Sequence, residues 1–261
     1  MLHSRQPGPR TLAPVTKTKV AVIGAQGRMG TEAVGAVGSA ADLELAGAFD
    51  KDDALGDLGG ATVAVILSVP DAAPENVAYC IERGVHCVVG TTGWTDERLD
   101  AVRAQLADHP GVGVLIAPNF AIGALLALEF ARRAAPYYES VEVIEQHHPD
   151  KVDAPSGTAA RTARVLAAAR AEAGLGDVPD ATTSDPLGAR GARVDGIPVH
   201  AVRLRGRVAH EEILFGGPGE ALTIRHDSFD RASFMPGVLA GVRAVADHPG
   251  LTVGLEHYLD L

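Results

Sequence analysis

Residues 19–30 read KVAVIGAQGRMG. The apolar run Lys19–Gly24 has the length and bulk of a buried strand, and a helical pattern begins at Arg28. Gly24, Gly27 and Gly30 occupy the junction. A strand that turns directly into a helix needs glycine for the tight turn and for close backbone approach, and the helix start offers free N–H groups to a pyrophosphate. The spacing is G-x-x-G-x-x-G, a variant of the commoner dinucleotide fingerprint. On its own a glycine turn is also an ordinary loop, in a chain with 30 glycines.

The surroundings favour the nucleotide reading. Beyond the helix Arg28–Ala41 comes a second strand, Leu43–Asp50, closed by an acid about 20 residues after the last glycine, where a carboxylate binds the ribose hydroxyls of an adenosine. Lys51 and Arg28 carry charge that attracts a 2′-phosphate, whereas Asp50 repels it, so NADH is expected to be used readily and NADPH also considered. The alternation continues: strand Val63–Val69, helix Glu75–Arg83, strand Val85–Val89, helix Asp96–Ala107, strand Gly113–Ala117. Near-continuous apolar strands separated by helices predict a doubly wound parallel sheet covered on both faces. Ligands bind at the carboxyl ends of such strands. Gly90-Thr91-Thr92-Gly93 and Ala117-Pro118-Asn119-Phe120 both fall there, and their small residues let a flat nicotinamide approach.

The pattern changes after Asn119. A helix over Gly123–Ala135 leads to a strand, Val141–Glu145, then a helix, Thr158–Ala173. Gly174–Gly196 reads as a long loop, followed by three strand-like segments, Val199–Leu204, Ala209–Phe215 and Ala221–Arg225, which predict an open mixed sheet, largely antiparallel, in an α+β unit. The last helix, Pro236–Ala246, and strand, Leu251–Leu255, are placed to return to the first sheet. The predicted organisation is an N-terminal extension over 1–16, a dinucleotide-binding domain from 17–122 and 231–261, and a substrate and oligomerisation domain over 123–230.

Composition narrows the function classes. A formal net charge of -10 disfavours nonspecific binding to nucleic acid or to acidic membranes, since both need a positive field. No apolar stretch approaches the roughly 20 residues that span a bilayer. The proline-containing start has no secretory h-region. A soluble cytoplasmic protein is the expectation. The two cysteines, Cys80 and Cys87, fall in a helix and a strand and read as core.

The chemistry concentrates in residues 145–160, EQHHPDKVDAPSGTAA. Ser156-Gly157-Thr158 opens a helix, so a hydroxyl and the Gly157 and Thr158 N–H groups can hold a carboxylate. Lys151 supplies positive charge, and a histidine of the His147-His148 pair can supply a proton near neutral pH. Hydride addition to a conjugated imine or alkene requires such a proton where electron density accumulates. Adjacent histidines on a strand do not point both rings at one ion, and no further Cys/His cluster is near, so no metal is expected. The residues alone predict a nicotinamide-dependent reductase of a small carboxylate.

The segments GAQGRMG, VVGTTGW, APNFAIGA, EQHHPDKVDAPSGTAARTA, DGIPVHAVRL and GEALTIRHDS together resemble the 4-hydroxy-tetrahydrodipicolinate (dihydrodipicolinate) reductase family, in its actinobacterial form. The likeness runs from Lys19 to Leu261. It implies a Rossmann-like domain completed by the C-terminal segment, an inserted substrate domain whose sheet builds a homotetramer, and production of tetrahydrodipicolinate in lysine and diaminopimelate biosynthesis. It also implies that His147 is the proton donor, that His148, Lys151, Gly157 and Thr158 bind substrate with Lys151 also catalytic, and that Gly24, Arg28, Met29, Asp50, Gly90, Thr92 and Ala117–Phe120 meet NADH or NADPH. Two departures stand out. Ile66-Leu67-Ser68 replaces the Asp-Phe-Thr or Asp-Phe-Ser of many members, and Gln26 stands where some carry a basic residue. The competing expectations are another Rossmann dehydrogenase of a small carboxylate and a dinucleotide-sensing regulator without chemistry.

Overall fold

The computed structural model describes residues 17–259 and residue 261, so the expected N-terminal extension over 1–16 lies outside the described residues. The chain begins β1 (Thr18–Ile23), α1 (Arg28–Ser39), β2 (Leu43–Phe49), β3 (Val63–Ile66), α2 (Ala73–Glu82), β4 (His86–Val89), α3 (Asp96–Ala107) and β5 (Gly113–Ile116). It continues through α4 (Ile122–Ala134), β6 (Ser140–His147), α5 (Gly157–Glu172), β7 (Ala192–Val194), β8 (Ile197–Arg203), β9 (Ala209–Gly217) and β10 (Glu220–Ser228). It closes with α6 (Met235–Ala244) and β11 (Gly250–Val253).

The first sheet has six strands in the order β11-β5-β4-β3-β1-β2, every pairing parallel. Its central strands are apolar on both faces because both faces are covered. Val20, Val22, Val65 and Val88 pack with α1 and α6 on one side, while Ala21, Ile66, Cys87 and Ile116 pack with α2 and α3 on the other. The two cysteines are free and buried there. The strand order reverses beside β1, which opens a crevice at the carboxyl ends of β1 and β3. Among the described residues, no helix is long and apolar enough to cross a membrane.

The second sheet is mixed, in the order β10-β9-β6-β8-β7. β6 pairs parallel with β8 and antiparallel with β9, so the expectation of a largely antiparallel sheet holds for three of its four pairings. Several boundaries differ from the sequence reading, two of them in this sheet's connections and site. The segment 174–196 is not loop throughout, since Ala192–Val194 forms β7, a short edge strand hairpinned onto β8 through Asp195 and Gly196. β6 also runs on to His147, because its ladder with β8 and β9 continues past Glu145. The inward positions Val141 and Val143 join α5 in a third core with Leu166, Ile213 and Phe215.

Candidate active site

The glycine turn is built by close approach. Gly24 takes φ +86°, and a Cβ there would come within 2.7 Å of the Leu67 carbonyl carbon. A Cβ on Gly30 would lie 2.0 Å from the Gly24 carbonyl oxygen. Gly27 is the N-cap of α1 and no side chain caps the helix, so the first-turn N–H groups of Arg28, Met29 and Gly30 are left for an anion. Asp50 braces this turn. Its Oδ2 accepts the Gln26 N–H at 2.9 Å and its Oδ1 accepts the Lys51 N–H at 2.9 Å, and these two N–H groups hold its carboxyl below the ordinary range. A cavity of about 440 Å³ runs from Gly24 and Gly27 past Asp50 and Lys51 to Leu67, Ser68 and Asn76.

The replaced segment contributes differently from the acid and aromatic expected there. Ile66 is wholly buried in the sheet, Leu67 packs onto the first core, and Ser68 Oγ accepts from Asn76 Nδ2 at 3.0 Å. The Thr91 hydroxyl donates to the Ser68 carbonyl at 2.8 Å, so that side chain ties the loop after β4 to the loop after β3. Arg98 spans the same two loops through the Pro70 and Gly93 carbonyls. Further along the crevice, Met29, Gly90, Ala117, Pro118, Asn119 and Phe120 surround a second cavity of about 120 Å³. The Asn119 side chain accepts the Ala121 N–H at 2.8 Å and fixes the entry to α4.

Pro118 and Asn119 also wall a third cavity of about 550 Å³. Its opposite side is formed by His147, Lys151, Asp153, Ser156, Gly157, Thr158 and Arg161. Ser156 is the N-cap of α5 and its hydroxyl accepts the Ala159 N–H, leaving the Gly157 and Thr158 N–H groups at the mouth of the helix. Lys151 Nζ donates to Asp153 Oδ1 at 2.7 Å, and this contact depresses the Asp153 carboxyl. Arg161 is paired with Glu256 of the C-terminal segment.

Behind His147 lies Glu145, only 1% exposed. His147 Nδ1 donates to Glu145 Oε2 at 2.6 Å, which fixes the ring tautomer and leaves Nε2 as the second proton site. Arg203 donates to both Glu145 oxygens at 2.8 Å, and the Ser156 N–H donates to Oε1 at 3.1 Å. Burial alone would raise the Glu145 carboxyl. Arg203 and His147 outweigh it, so Glu145 titrates below the ordinary range and is ionised. For His147 burial wins: desolvation pushes its pKa down, Lys151 and Arg203 add to that, and Glu145 offsets only part.

The fold therefore brings His147, Lys151, Ser156, Gly157 and Thr158 together around one cavity, with Thr92, Pro118 and Asn119 facing them. His148 does not line it; its carbonyl accepts the Lys151 N–H in the following turn. Sequence reasoning gave no individual role to Glu145, Arg203, Arg161 or Glu211. Glu145 had a legible signal, because period two along β6 sets it on the inward face with Val141 and Val143. Arg203 had none, since its approach depends on the parallel pairing of β6 with β8.

Comparison with known proteins agrees along nearly the whole chain. Residues 18–120 match the family described as dihydrodipicolinate reductase, N-terminus, and residues 123–259 match dihydrodipicolinate reductase, C-terminus. The 4-hydroxy-tetrahydrodipicolinate reductase of Streptomyces griseus is 61% identical over 249 residues, covering 95% of this chain and 100% of that protein. The enzyme of the same name from Cutibacterium acnes is 60% identical over 243 residues, covering 93% and 99%. Among solved structures, the dipicolinate-bound dihydrodipicolinate reductase from Paenisporosarcina sp. TG-14 superimposes with a TM-score of 0.82 at 38% identity, covering 94% of this chain and 100% of that one. Two matched halves, extensive identity and a shared fold lead to one statement: this chain belongs to the dihydrodipicolinate reductase family.

Proposed function

We propose that this chain catalyses the NAD(P)H-dependent reduction of 4-hydroxy-tetrahydrodipicolinate to tetrahydrodipicolinate in lysine and diaminopimelate biosynthesis. The net change adds one hydride and one proton and releases one water. The observation that carries the reading is His147, backed by the buried Glu145, on the wall of a 550 Å³ cavity that shares Pro118 and Asn119 with the smaller cavity at Gly90. The family membership and the Gly24–Gly30 turn fit a dinucleotide: glycine is needed where Gly30 meets Gly24, and the uncapped α1 start suits a pyrophosphate. A bound dihydronicotinamide supplies the hydride.

The residues of the chain then divide the work. Gly24, Gly27, Arg28, Met29 and Gly30 hold the pyrophosphate end, Asp50 the adenosine ribose, and Gly90, Thr92 and Ala117–Phe120 the nicotinamide end. Thr91 acts through its bond to Ser68, fixing the two loops. The α5 start at Ser156, Gly157 and Thr158 binds one substrate carboxylate. Lys151 leaves Asp153 to meet the second carboxylate or the charge that develops on the ring. His147 protonates the reduced atom, oriented by Glu145. His148 lies off the cavity wall, so its contact with substrate requires the loop between His147 and Ser156 to close.

Asp50 at the ribose position favours NADH, with NADPH accepted through Arg28 and Lys51. The division into a cofactor domain (17–122 and 231–261) and a substrate domain (123–230) is supported by the return of β11 to the first sheet. A homotetramer built on the second sheet is supported by the exposed Val202 and Leu204 at the end of β8. The proposed compartment is the cytoplasm.

The test supplies freshly generated 4-hydroxy-tetrahydrodipicolinate and follows NADH and NADPH absorbance side by side. Turnover with NADH at least matching NADPH is expected. No turnover with either cofactor would overturn the reading, and light scattering at the mass of one chain would remove the tetramer.

A further inference from the structure

Glu211 is a buried carboxyl that the reaction as described does not use. It sits on β9 directly opposite Glu145 of β6 in the antiparallel ladder, so two glutamates face each other across one sheet. Both are buried, at 8% and 1% exposure. Two like charges directly opposite in a dry interior are unfavourable, so one of the pair gives up its charge. Glu145 has a guanidinium on both oxygens and a histidine on one. Glu211 has only the Thr162 hydroxyl, which donates to Oε2 at 3.2 Å, and its Oε1 is buried without a partner. Glu211 is the one that keeps a proton.

Among the described residues, its neighbours offer no cation to relieve it. On β10, His226 stands directly opposite, and burial pushes that imidazole toward its neutral form. Asp227 is engaged by His210 and Arg225. α5 contributes Thr162, and Arg161 on that helix is taken by Glu256. Arg203 of β8 is committed to Glu145. Glu211, Glu145 and His147 also share the wall of a small chamber of about 40 Å³, enough for a water or two, where His210, His226 and Ser228 add polar groups to a partly apolar lining.

Counting charges over Glu145, Arg203, His147 and Glu211 gives two forms of equal net charge. In one, Glu211 is a neutral acid and His147 a neutral imidazole. In the other, Glu211 is ionised and His147 is an imidazolium. We propose that Glu211 is a positioning residue that stores the proton of His147: binding of a dicarboxylate in the adjoining cavity favours the imidazolium form, the proton leaves the Glu211 oxygen and resides on His147, and the acid is charged without uptake from solvent. This rests on the reading of His147 as the proton donor. It accords with the burial that pushes the Glu211 carboxyl up to about 7 and pushes the His147 ring down, so that before substrate binds the proton stays on Glu211.

The experiment measures proton uptake when dipicolinate binds to the NADH-loaded enzyme near pH 7, by calorimetry in two buffers of different ionisation enthalpy. The wild type is expected to take up close to no proton, and Glu211→Gln to take up as much as one more per site. The alkaline limb of the kcat/KM profile should move to lower pH in Glu211→Gln by on the order of half a unit or more, while a purely structural role would lower the rate without moving the limb. Glutamine retains the shape of the neutral acid. If that variant fails to fold, infrared difference spectra of the wild type give the answer: the C=O stretch of a protonated carboxyl disappears on dipicolinate binding if the proposal holds and persists if it does not. Equal proton uptake and coincident limbs in wild type and Glu211→Gln overturn the proposal, provided His147→Gln lowers kcat by roughly 10²-fold or more. Should His147→Gln keep near-normal turnover, the reading of His147 is what falls.

Discussion

Arg203 and Glu145 meet through two parallel hydrogen bonds of 2.8 Å, although they lie on different strands and 58 residues apart. The β6–β8 register sets Arg203 opposite His147, and the side chain reaches back to the buried carboxylate. A charge at 1% exposure survives in the interior only with such a partner. The fork of arginine matches both oxygens, which an ammonium cannot do. One residue thereby keeps Glu145 ionised, and Glu145 keeps the His147 ring in one tautomer.

Arg203→Met should therefore destabilise the protein by about 3–5 kcal/mol, the usual cost of stranding one member of a buried pair. Arg203→Lys should lose less. Urea denaturation midpoints compared at constant slope measure both. A shift within error for Arg203→Met would mean that Glu145 finds another partner or is protonated.

His147→Gln should reduce kcat by roughly 10²-fold or more, the range for losing a general acid. Cofactor affinity should change little, because His147 lines the substrate cavity and not the cavities at Asp50 or Gly90. Steady-state kinetics combined with NADH binding by fluorescence separates the two. Near-normal turnover would remove His147 from proton donation.

The parts of this molecule that follow from local pattern were legible in the sequence. The central strands of the first sheet are short apolar runs, and period and turn residues give its order of elements directly. The start of α5 was equally legible, because an N-cap serine followed by glycine and threonine is a local signal. Which strands of the mixed second sheet run parallel was not, since the direction of β8 relative to β6 depends on a connection through 157–196 that carries helix, loop and β7. For the same reason the site was read as two histidines, a lysine and a helix start, while its buried half was missed. Glu145 was legible from the period of β6, but Arg203, Thr162 and Glu211 acquire their roles only through pairing across strands and packing of α5. His148, which the motif places beside His147, lies one residue past the end of β6 and does not line the cavity.

Asp50→Asn tests the cofactor turn. Asp50 receives two backbone N–H groups and would also receive the ribose hydroxyls, so an amide should weaken both. The expected result is a several-fold rise in KM for NADH, a smaller rise for NADPH because a repelling charge is gone, and kcat nearly unchanged. Parallel rises for both cofactors would show that Asp50 braces the glycine turn without reading the ribose.

The stability of the protein should carry the mark of Glu211. Its carboxyl is pushed up to about 7 from an ordinary value of 4.5, chiefly by burial. Between those two values the native state holds a proton that the unfolded chain has already released. The contribution is therefore fully present below the unfolded value and is lost as pH rises through the native one. The loss amounts to on the order of 3 kcal/mol. Glu145 and the surface carboxylates bend the curve the other way, since partners lower their pKa values, so the raw pH profile of the wild type does not isolate Glu211. The difference between Glu211→Gln and wild type does. Glutamine cannot ionise, so the variant should gain on the wild type from pH 5 to pH 8 in urea unfolding at matched ionic strength. A difference that stays constant across that range would mean that Glu211 is already ionised in the native protein, with its charge met by a group not yet identified.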